Sequence, residues 1–497
     1  MGFRVEREVT MFKIITDGIK RPKPNIPYKR VRKVLYNDNN EISIILQAFK
    51  NITSTKKCIE NLMKYTNLNY KMYLLDNGTP DNSVLNLFES VQYKDKKIVR
   101  VTKNITGVYA MDKLLHMIAS KYVVIIPNDV IVTPNWLENM LICAESDESI
   151  GMVVASSTNV SNLQYESLGG FSSIEEMQDK AEKFNVSDPA KWEEKMRLIP
   201  TATLYRREIF DTIGLYDLGF MHDFGDDDFT FRVRRAGYKL MLCRDTFVHH
   251  DHDQATLSQE RQEIMVQSRE FFKDKYNGID AWNDTGNYMS FAFDSIRFND
   301  CQRKSILVLD VKCGTPLLEA RNFLRKNNIE VSECISYTSD AKYWDDLISI
   351  SDRVVCGDIE STIKDEFGKY DIIILGKSVN EYNKPIELLH RLINLKSENG
   401  YVIFPVCNTN DVRSLLNVLN ISLGEYDSFP RQMNYNYILD KIADYGIKHA
   451  DVTYTVHSLD DKLKTSIANL VLSMDVRGDK NEIMQNLLIE NYWITAQ

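Results

Sequence analysis

The stretch that decides the fold is an apolar run that ends in two polar residues. It reads Tyr122-Val123-Val124-Ile125-Ile126-Pro127-Asn128-Asp129. A continuous apolar run of this length is typical of a parallel strand that helices cover on both faces. We therefore predict a buried strand over Tyr122–Ile126, with Asp129 just beyond its end.

The same arrangement recurs on both sides of this run. Further strands are predicted at Ile42–Leu46, Met72–Leu75, Ile98–Val101 and Ile150–Ser156, and helices at Thr53–Met63 and Asp112–Ala119. This alternation predicts an α/β domain with a largely parallel sheet. In such sheets, ligands bind at the carboxyl ends of the strands. Asp76 and Asp129 both follow predicted strands, so we expect them to face one binding site.

Three adjacent carboxylates lie farther along the chain, at Asp226, Asp227 and Asp228. They begin an amphipathic pattern that ends at Gly237, so a helix is predicted there. Acidic residues at the start of a helix often serve only to cap its free N–H groups. One aspartate is enough for a cap, however. Three side by side repel each other, which favours a site for a general base or a cation.

Two histidines, His249 and His250, end a short apolar strand that follows this helix. Successive residues of a strand point to opposite faces, so at most one of the two faces the site. A structural role and a metal-ligand role both stay open for that residue. The sequence does not decide which of the two histidines it is.

The composition limits the class of protein. The chain has 497 residues, of which 43% are hydrophobic, and a formal net charge of −9. This length predicts two or more domains, and the negative charge argues against a nucleic-acid-binding protein. No apolar run is long enough to span a membrane, and no signal-peptide pattern begins the chain. Eight cysteines without a C-x-x-C pair predict reduced thiols and a cytoplasmic location.

Three segments lack the strand–helix alternation. Residues 1–40 form a basic, proline-containing arm, which is either solvated or a docking segment for an acidic partner or an anionic membrane surface. An insertion within residues 156–195 is expected to form a loop or lid beside the predicted binding site. Residues 256–303 are predicted to be a helical linker between two domains.

Four short motifs follow one another along the first half of the chain. They are Ser43-Ile44-Ile45-Leu46-Gln47-Ala48-Phe49, Leu75-Asp76-Asn77-Gly78, Ile126-Pro127-Asn128-Asp129-Val130 followed by Pro134-Asn135-Trp136-Leu137, and the segment 224–238. Their order resembles that of the family 2 glycosyltransferases, which are inverting enzymes with the Rossmann-like GT-A fold of nucleotide-diphospho-sugar transferases. The resemblance implies a GT-A domain over residues 41–255 that binds a UDP-sugar.

The resemblance also implies roles for individual residues. The expected donor-binding residues are Gln47, Ala48, Phe49, Asp76, Asn104, Gly107, Asp112, Asn128 and Thr203. Asp129 is expected to hold a divalent cation, Mn²⁺ or Mg²⁺, with His249 or His250 completing the metal site. Asp226 is expected to be the general base, with Asp228 behind it as a second catalytic residue.

The sequence departs from the family pattern at four positions. Gln47 and Ala48 replace a proline and a threonine of the first motif. Pro127 stands where the first acid of the D-x-D metal motif is usual, so one metal ligand is missing. Gly225 stands where a glutamate usually precedes the base. The last two departures keep open an alternative, a catalytically dead scaffold that binds a nucleotide sugar.

A second strand–helix alternation covers residues 304–497 and closes with an apparent edge strand at Glu490–Ala496. It resembles a class I S-adenosylmethionine-dependent methyltransferase, a second Rossmann-like α/β domain. Lys312 and Pro316 stand where small residues are usual in the glycine-rich turn, and no acid follows the second strand near Cys334. The resemblance therefore predicts a degenerate domain used for assembly or acceptor docking, with an active methyltransferase as the alternative.

Together these features predict an inverting glycosyltransferase that moves a sugar from a UDP-sugar, UDP-N-acetylglucosamine first, to a hydroxyl group. The expected acceptor is a protein (a flagellin-type Ser/Thr) or a surface glycan of a bacterium. The alternatives are a bifunctional glycosyltransferase and methyltransferase, which would need S-adenosylmethionine, and the inactive scaffold. Two sheet-based domains also permit a homo-oligomer.

Overall fold

The computed structural model describes residues 11–14, 41–104, 107–220, 223–251, 258–300, 302–414, 433–457, 459–473 and 479–497. The chain divides into two compact units, Met1–Gly286 and Asn287–Gln497. The segment 256–303, predicted as a linker, is divided between them at residue 286. Of the predicted basic arm, only Met11–Ile14 falls within the described residues.

The first unit alternates strands and helices along most of its length. Its strands are β1 (Met11–Ile14), β2 (Ile42–Ala48), β3 (Lys71–Asp76), β4 (Lys96–Val101), β5 (Tyr122–Pro127), β6 (Val130–Ile131), β7 (Ile150–Ser157), β8 (Trp192–Glu194), β9 (Thr203–Arg206) and β10 (Lys239–His250). Its helices are α1 (Ile52–Tyr65), α2 (Ser83–Ser90), α3 (Tyr109–Leu115), α4 (Trp136–Glu145), α5 (Ile174–Phe184), α6 (Glu208–Ile213), α7 (Gly225–Arg235) and α8 (Gln259–Lys275). Every strand and helix predicted for this part of the sequence lies within one of these elements or overlaps it.

The sheet of the first unit is mixed. Its strand order is β1-β4-β3-β2-β5-β9-β7-β10-β6, with β8 paired to β10. The strands from β1 to β5 run parallel, as the alternation predicted. β9 runs antiparallel between β5 and β7, and β6 and β8 run antiparallel to β10. The sequence analysis did not predict these short antiparallel strands.

Alternate residues of β5 enter two different cores. Val124 and Ile126 pack with Trp136 of α4 on one face of the sheet, and Val123 packs with Leu114 of α3 on the other. A strand that is apolar on both faces is therefore buried between two helical layers. This packing places the carboxyl end of β5, with Asp129 beyond it, at the edge of a rigid sheet.

The turn after β3 requires a glycine. Gly78 has a φ of 81°, and a Cβ atom there would lie 2.3 Å from the backbone nitrogen of Asn104. The absence of a side chain thus lets the chain after β4 lie directly against the end of β3. This close approach brings Asn104 to the same edge as Asp76.

The second unit contains another sheet, with helices between its strands. Its strands are β11 (Lys304–Leu309), β12 (Val331–Thr338), β13 (Arg353–Cys356), β14 (Tyr370–Leu375), β15 (Lys396–Cys407), β16 (Ala450–Val456) and β17 (Ile489–Ala496). Its helices are α9 (Thr315–Lys326), α10 (Trp344–Ile348), α11 (Ile359–Thr362), α12 (Pro385–Leu395), α13 (Tyr435–Asp444), α14 (Asp461–Ser473) and α15 (Lys480–Leu488).

This second sheet has the order β13-β12-β11-β14-β15-β17-β16. The first five strands are parallel, and β17 runs antiparallel to both β15 and β16. The prediction of an edge strand at Glu490–Ala496 was therefore wrong in one respect. The strand exists, but β16 covers it and forms the edge. No described helix in either unit is both long and apolar enough to cross a membrane.

The Gly78 contact predicts a specific loss of stability. Gly78→Ala adds a Cβ against backbone atoms that have no room to move, and it also forces a non-glycine residue into the left-handed region. Gly169→Ala is the matched control, because Gly169 has a φ of 73° and open space around its missing Cβ. We expect the control to lose about 1 kcal/mol and Gly78→Ala to lose a further 1–3 kcal/mol or so. Urea unfolding of both variants measures the difference, and equal losses would contradict the steric argument.

Candidate active site

The carboxyl ends of β2, β3 and β5 lie side by side. Ala48 is opposite Asp76 in the pairing of β2 with β3, and Gln47 is opposite Pro127 in the pairing of β2 with β5. The Gln47 side chain donates a hydrogen bond of 2.6 Å to the carbonyl oxygen of Gly107. The structure therefore brings most of the predicted donor-binding residues to one edge: Gln47, Ala48, Phe49, Asp76, Asn104, Gly107 and Asn128.

Asp76 is fully buried at this edge. Its carboxylate accepts a hydrogen bond of 2.9 Å from the backbone N–H of Thr79 and lies 3.2 Å from Nε of Arg100. Burial raises the pKa of Asp76, although Thr79 and Arg100 oppose the rise by stabilising the charged form. The carboxylate thus orders the turn after β3 from within the protein.

Two predicted donor-binding residues lie deeper. Thr203 is fully buried on β9, between Ile125 of β5 and Val154 of β7. Asp112 lies in the first turn of α3, where burial raises the pKa of its carboxyl to about 6, against the opposing charges of Lys113 and Arg232. Neither residue is exposed at the edge that carries Gln47.

The two histidines face different partners. His250 is opposite Val130 in the pairing of β10 with β6, and its Nε2 lies 3.5 Å from Oδ2 of Asp129. The Nδ1 of His249 instead lies 2.7 Å from the hydroxyl of Thr158, and its ring packs edge-on against Phe171. Of the two histidines, His250 is therefore the one that lies beside Asp129, and its role as a metal ligand stays a prediction.

The donor atoms at this point suit a divalent cation in part. One carboxylate and one imidazole, each about a quarter exposed, are ligand types that Mn²⁺ and Mg²⁺ accept. Within the described ranges, however, no group of three or more His, Cys, Asp or Glu side chains has the arrangement of a metal site. Among the described residues, Asp129 and His250 are therefore the pair that could hold a cation.

The three adjacent aspartates at the start of α7 have three different environments. Asp228 is fully buried, and its carboxylate contacts Nε of Arg232 at 2.9 Å, Nζ of Lys275 at 2.5 Å and the hydroxyl of Tyr276 at 2.8 Å. Both of its oxygens thus contact protein groups. The prediction of a catalytic role for Asp228 is untested, and these contacts favour a structural role.

Asp227 is also buried and held on both oxygens. Nη1 of Arg197 lies 3.1 Å from its Oδ1, and the indole N–H of Trp282 donates a hydrogen bond of 3.1 Å to its Oδ2. Burial raises the pKa of Asp227, and the two partners oppose this by favouring the charged form. The carboxylate group is thereby fixed in orientation.

Asp226 differs from both neighbours. It is partly exposed, and within the described parts of the chain no side chain forms a hydrogen bond or an ion pair with its carboxylate. Desolvation and the negative charge of Asp227 raise the pKa of Asp226 to about 7, while Arg197 opposes the rise. A carboxylate that is open to a ligand and titrates near neutrality is suited to act as a general base.

The sequence analysis missed the partners of these aspartates. Lys275, Tyr276 and Trp282 come from a segment that was predicted to be a linker, and Arg197 lies two residues after the predicted lid. The aromatic residues of α8 and the turn after it were an available signal. Phe272 and Tyr276 are four residues apart, which predicts one buried face of a helix.

Comparison with known proteins identifies part of the first unit. Residues 43–214 match the family described as Glycosyl transferase family 2. No curated protein matches the chain significantly.

Three similar solved structures are the mannosyltransferase PcManGT from Pyrobaculum calidifontis in complex with GDP-Man and Mn²⁺, GalNAc-T7 with UDP, GalNAc and Mn²⁺, and TarS from S. aureus. Their sequence identities to this chain are 14%, 12% and 11%, and their TM-scores are 0.36, 0.38 and 0.34. The matches cover 52%, 60% and 51% of this chain, and 70%, 56% and 46% of the respective other chains. The ligands are those of the named proteins.

The contacts of Asp228 predict that Lys275 is important for stability. Nζ of Lys275 also lies 2.7 Å from the buried carboxylate of Asp217, so Lys275→Met leaves two buried negative charges short of a partner. We expect a loss of about 3–5 kcal/mol, measured by urea unfolding. Lys56→Met is the control, because Lys56 forms an exposed pair with Glu60 at 3.8 Å and is expected to change stability by less than about 0.5 kcal/mol. A Lys275 variant as stable as the control would show that the cluster contributes little.

Proposed function

We propose that the chain transfers a sugar, with inversion, from a UDP-sugar to a hydroxyl group that Asp226 deprotonates. The match of residues 43–214 to Glycosyl transferase family 2 supports this proposal. The observation that carries this proposal is the isolation of Asp226. It is the one aspartate of the three whose carboxylate is partly exposed and has no side-chain partner among the described residues.

Sugar transfer with inversion requires a base that is ionised and within reach of the acceptor hydroxyl. Inversion needs an acceptor oxygen that attacks the anomeric carbon from the face opposite the nucleotide. A carboxylate within hydrogen-bond reach of the hydroxyl takes its proton as the bond forms. A pKa of about 7 leaves much of Asp226 ionised at neutral pH and still basic enough to accept the proton. Asp227 and Asp228 are held in contacts with protein groups, so we assign them to positioning and not to proton transfer.

The donor would bind at the carboxyl edge of the sheet. The Gln47–Phe49 segment, Asp76, Asn104, Gly107 and Asn128 surround the place where a nucleotide binds in open α/β sheets. Asp112 and Thr203 would then support this pocket from below. UDP-N-acetylglucosamine is the first donor to test.

Asp129 and His250 would hold the divalent cation, Mn²⁺ or Mg²⁺. A cation bound there supplies positive charge to the diphosphate leaving group. His249 is turned towards Thr158 and Phe171, so we propose that it supports the strand and is not a ligand. Because Asp129 and His250 are the two candidate ligands among the described residues, we expect weak cation binding without a nucleotide.

The acceptor and the location of the enzyme rest on the sequence resemblance. We propose a protein hydroxyl of the flagellin Ser/Thr type or a surface glycan, modified in the bacterial cytoplasm. Contact with an anionic membrane surface through the basic arm is part of this proposal. Residues 15–40 of that arm lie outside the described residues.

For the second unit we propose a methyltransferase-like domain that has lost its cofactor site. The order β13-β12-β11-β14-β15 is that of a doubly wound sheet, whose ligand crevice lies between β11 and β14. There the Asp310 carboxylate accepts a hydrogen bond of 2.8 Å from the hydroxyl of Tyr382 and one of 2.6 Å from the backbone N–H of Ser339. These contacts join the ends of β11, β12 and β14 across the crevice, which supports docking or assembly over methyl transfer.

The second unit therefore should not bind S-adenosylmethionine. We expect isothermal titration calorimetry of the full chain to detect no binding at about 100 μM cofactor, because Tyr382 is buried across the crevice. Tyr382→Ala opens the same space and serves as the comparison. Tight binding to the wild type would favour the bifunctional alternative.

The main test of the function is UDP release from a panel of UDP-sugars, with Mn²⁺, Mg²⁺ or a chelator. We expect release with one preferred donor in the presence of metal, and a fall of about a hundredfold or more in Asp226→Asn. Asp129→Ala and His250→Ala should lower the activity and weaken its response to metal. His249→Ala is the matched control and should keep the metal response of the wild type.

Two results would contradict this proposal. Full activity of Asp226→Asn would exclude its role as the base. Binding of a UDP-sugar without release, even with an acceptor-rich bacterial lysate, would favour the inactive scaffold.

A further inference from the structure

Contacts from the segment that follows α8 hold the start of α7. This segment lies outside the residues 43–214 that match the family. Trp282, in the turn region after α8, is hydrogen-bonded to Asp227 and stacks on Phe224 with ring centroids 4.7 Å apart and an angle of 21° between the planes. Phe224 directly precedes α7 and has a φ of 68°, in the left-handed region. The Trp282 side chain thus contacts both the carboxylate of Asp227 and the strained residue that precedes the helix.

Trp282 is itself fixed. Its backbone N–H donates to Oδ1 of Asp280 at 3.0 Å, and Oδ2 of Asp280 lies 2.7 Å from Nε of Arg269 on α8. The guanidinium group of Arg269 also lies over the Trp282 ring, 5.1 Å from its centroid. Contacts therefore run from α8 through Asp280 and Trp282 to Asp227.

Arg197 completes the arrangement from the other side. It contacts Oδ1 of Asp227, whereas Trp282 contacts Oδ2, so each oxygen has its own partner. We propose that Arg197 and Trp282 are positioning residues, which hold Asp227 in place and so leave Asp226 as the open carboxylate at the reaction site. This inference rests on the proposed role of Asp226 as the base.

Several charged or titratable groups act on Asp226. Asp227 raises its pKa through its negative charge, and Arg197 lowers it. The hydroxyl groups of Tyr205 on β9 and Tyr216 are also close enough to interact with its charge. Asp223 acts on Asp227, and Arg261 of α8 lies 3.8 Å from Asp223.

Asp227 and Arg197 act on the pKa of Asp226 in opposite directions, so substituting them should shift this pKa in opposite directions. Removing the charge of Asp227 removes repulsion, so Asp226 should ionise at lower pH. Removing Arg197 removes a direct attraction, so Asp226 should ionise at higher pH, although the weaker ionisation of Asp227 offsets part of this rise. Loss of the indole N–H should let Asp227 keep its proton to higher pH, which weakens its effect on Asp226. A purely structural role of these residues does not predict shifts of opposite sign.

The experiment is the pH dependence of kcat/KM for turnover of the preferred UDP-sugar between pH 5 and 9. In the wild type, activity should rise with pH as Asp226 loses its proton, with a midpoint near 7. We expect this midpoint to fall by about one unit in Asp227→Asn and to rise by about one unit in Arg197→Met. Trp282→Phe keeps the aromatic ring on Phe224 but removes the donor, and should shift the midpoint downward by less than Asp227→Asn.

The control is Trp344→Phe, a matched substitution at a residue in α10 of the second unit that is 39% exposed. It should keep the wild-type midpoint and rate. Circular dichroism establishes that each variant is folded, and the nearly isosteric Asp227→Asn tests the inference even if Arg197→Met does not fold. Unshifted midpoints in the folded variants, or shifts of the same sign in Asp227→Asn and Arg197→Met, would overturn it.

Failure of the proposed function would be recognised separately. If the wild type turns over no donor, the ionisation of Asp226 is still measurable by NMR of protein labelled with ¹³C at the aspartate carboxyl carbons, with Asp226→Asn to assign its signal. A lower midpoint for Asp226 in Asp227→Asn and a higher one in Arg197→Met would support the positioning of this carboxylate. Unchanged midpoints would reject it.

Discussion

The buried charge of Asp228 is the constraint on which the first unit depends. A carboxylate with no exposed surface is costly unless cations and donors surround it. Arg232 belongs to the same helix, but Lys275 and Tyr276 come from the end of α8. The end of α8 therefore stabilises the helix that carries the three aspartates. This explains why the first compact unit extends to Gly286, well beyond the residues that match the family.

The same constraint separates the roles of three identical side chains. Asp228 faces the interior of the protein, where cationic side chains contact its carboxylate. Asp227 is held between Arg197 and Trp282. Only Asp226 is turned to a place where it is partly exposed, with a pKa raised to about 7. Neighbours in sequence thus differ in chemistry because a helix turns each of them towards a different environment.

Much of the fold could be predicted from the sequence, because its signals are local. The apolar run Tyr122–Ile126 and its counterparts indicated buried strands, and the strand ends indicated the edge to which Asp76 and Asp129 belong. The alternation of strand residues showed that His249 and His250 point to opposite faces of the strand. Which of them faces Asp129 depends on the pairing of β10 with β6, about 120 residues apart along the chain, so the rule alone could not decide it.

The partners of the aspartates could not be predicted for a related reason. Lys275 lies 47 residues from Asp228, and Trp282 lies 55 residues from Asp227. In the sequence, each belongs to a polar segment without strand–helix alternation. Similarly, β17 was recognised as a strand, but its place between β15 and β16 depends on pairing with distant residues.

The same topological rule holds for the sheets of both units, but the carboxyl ends of their strands differ in exposure. Parallel strands whose order reverses leave a crevice at their carboxyl ends. In the first unit several residues at this edge, Gln47 and Asp129 among them, are partly exposed. In the second unit the Asp310 carboxylate accepts hydrogen bonds from the backbone N–H of Ser339 and the hydroxyl of Tyr382 across the crevice. Topology thus determines where a site can form, and the side chains at the strand ends determine whether it is open to a ligand.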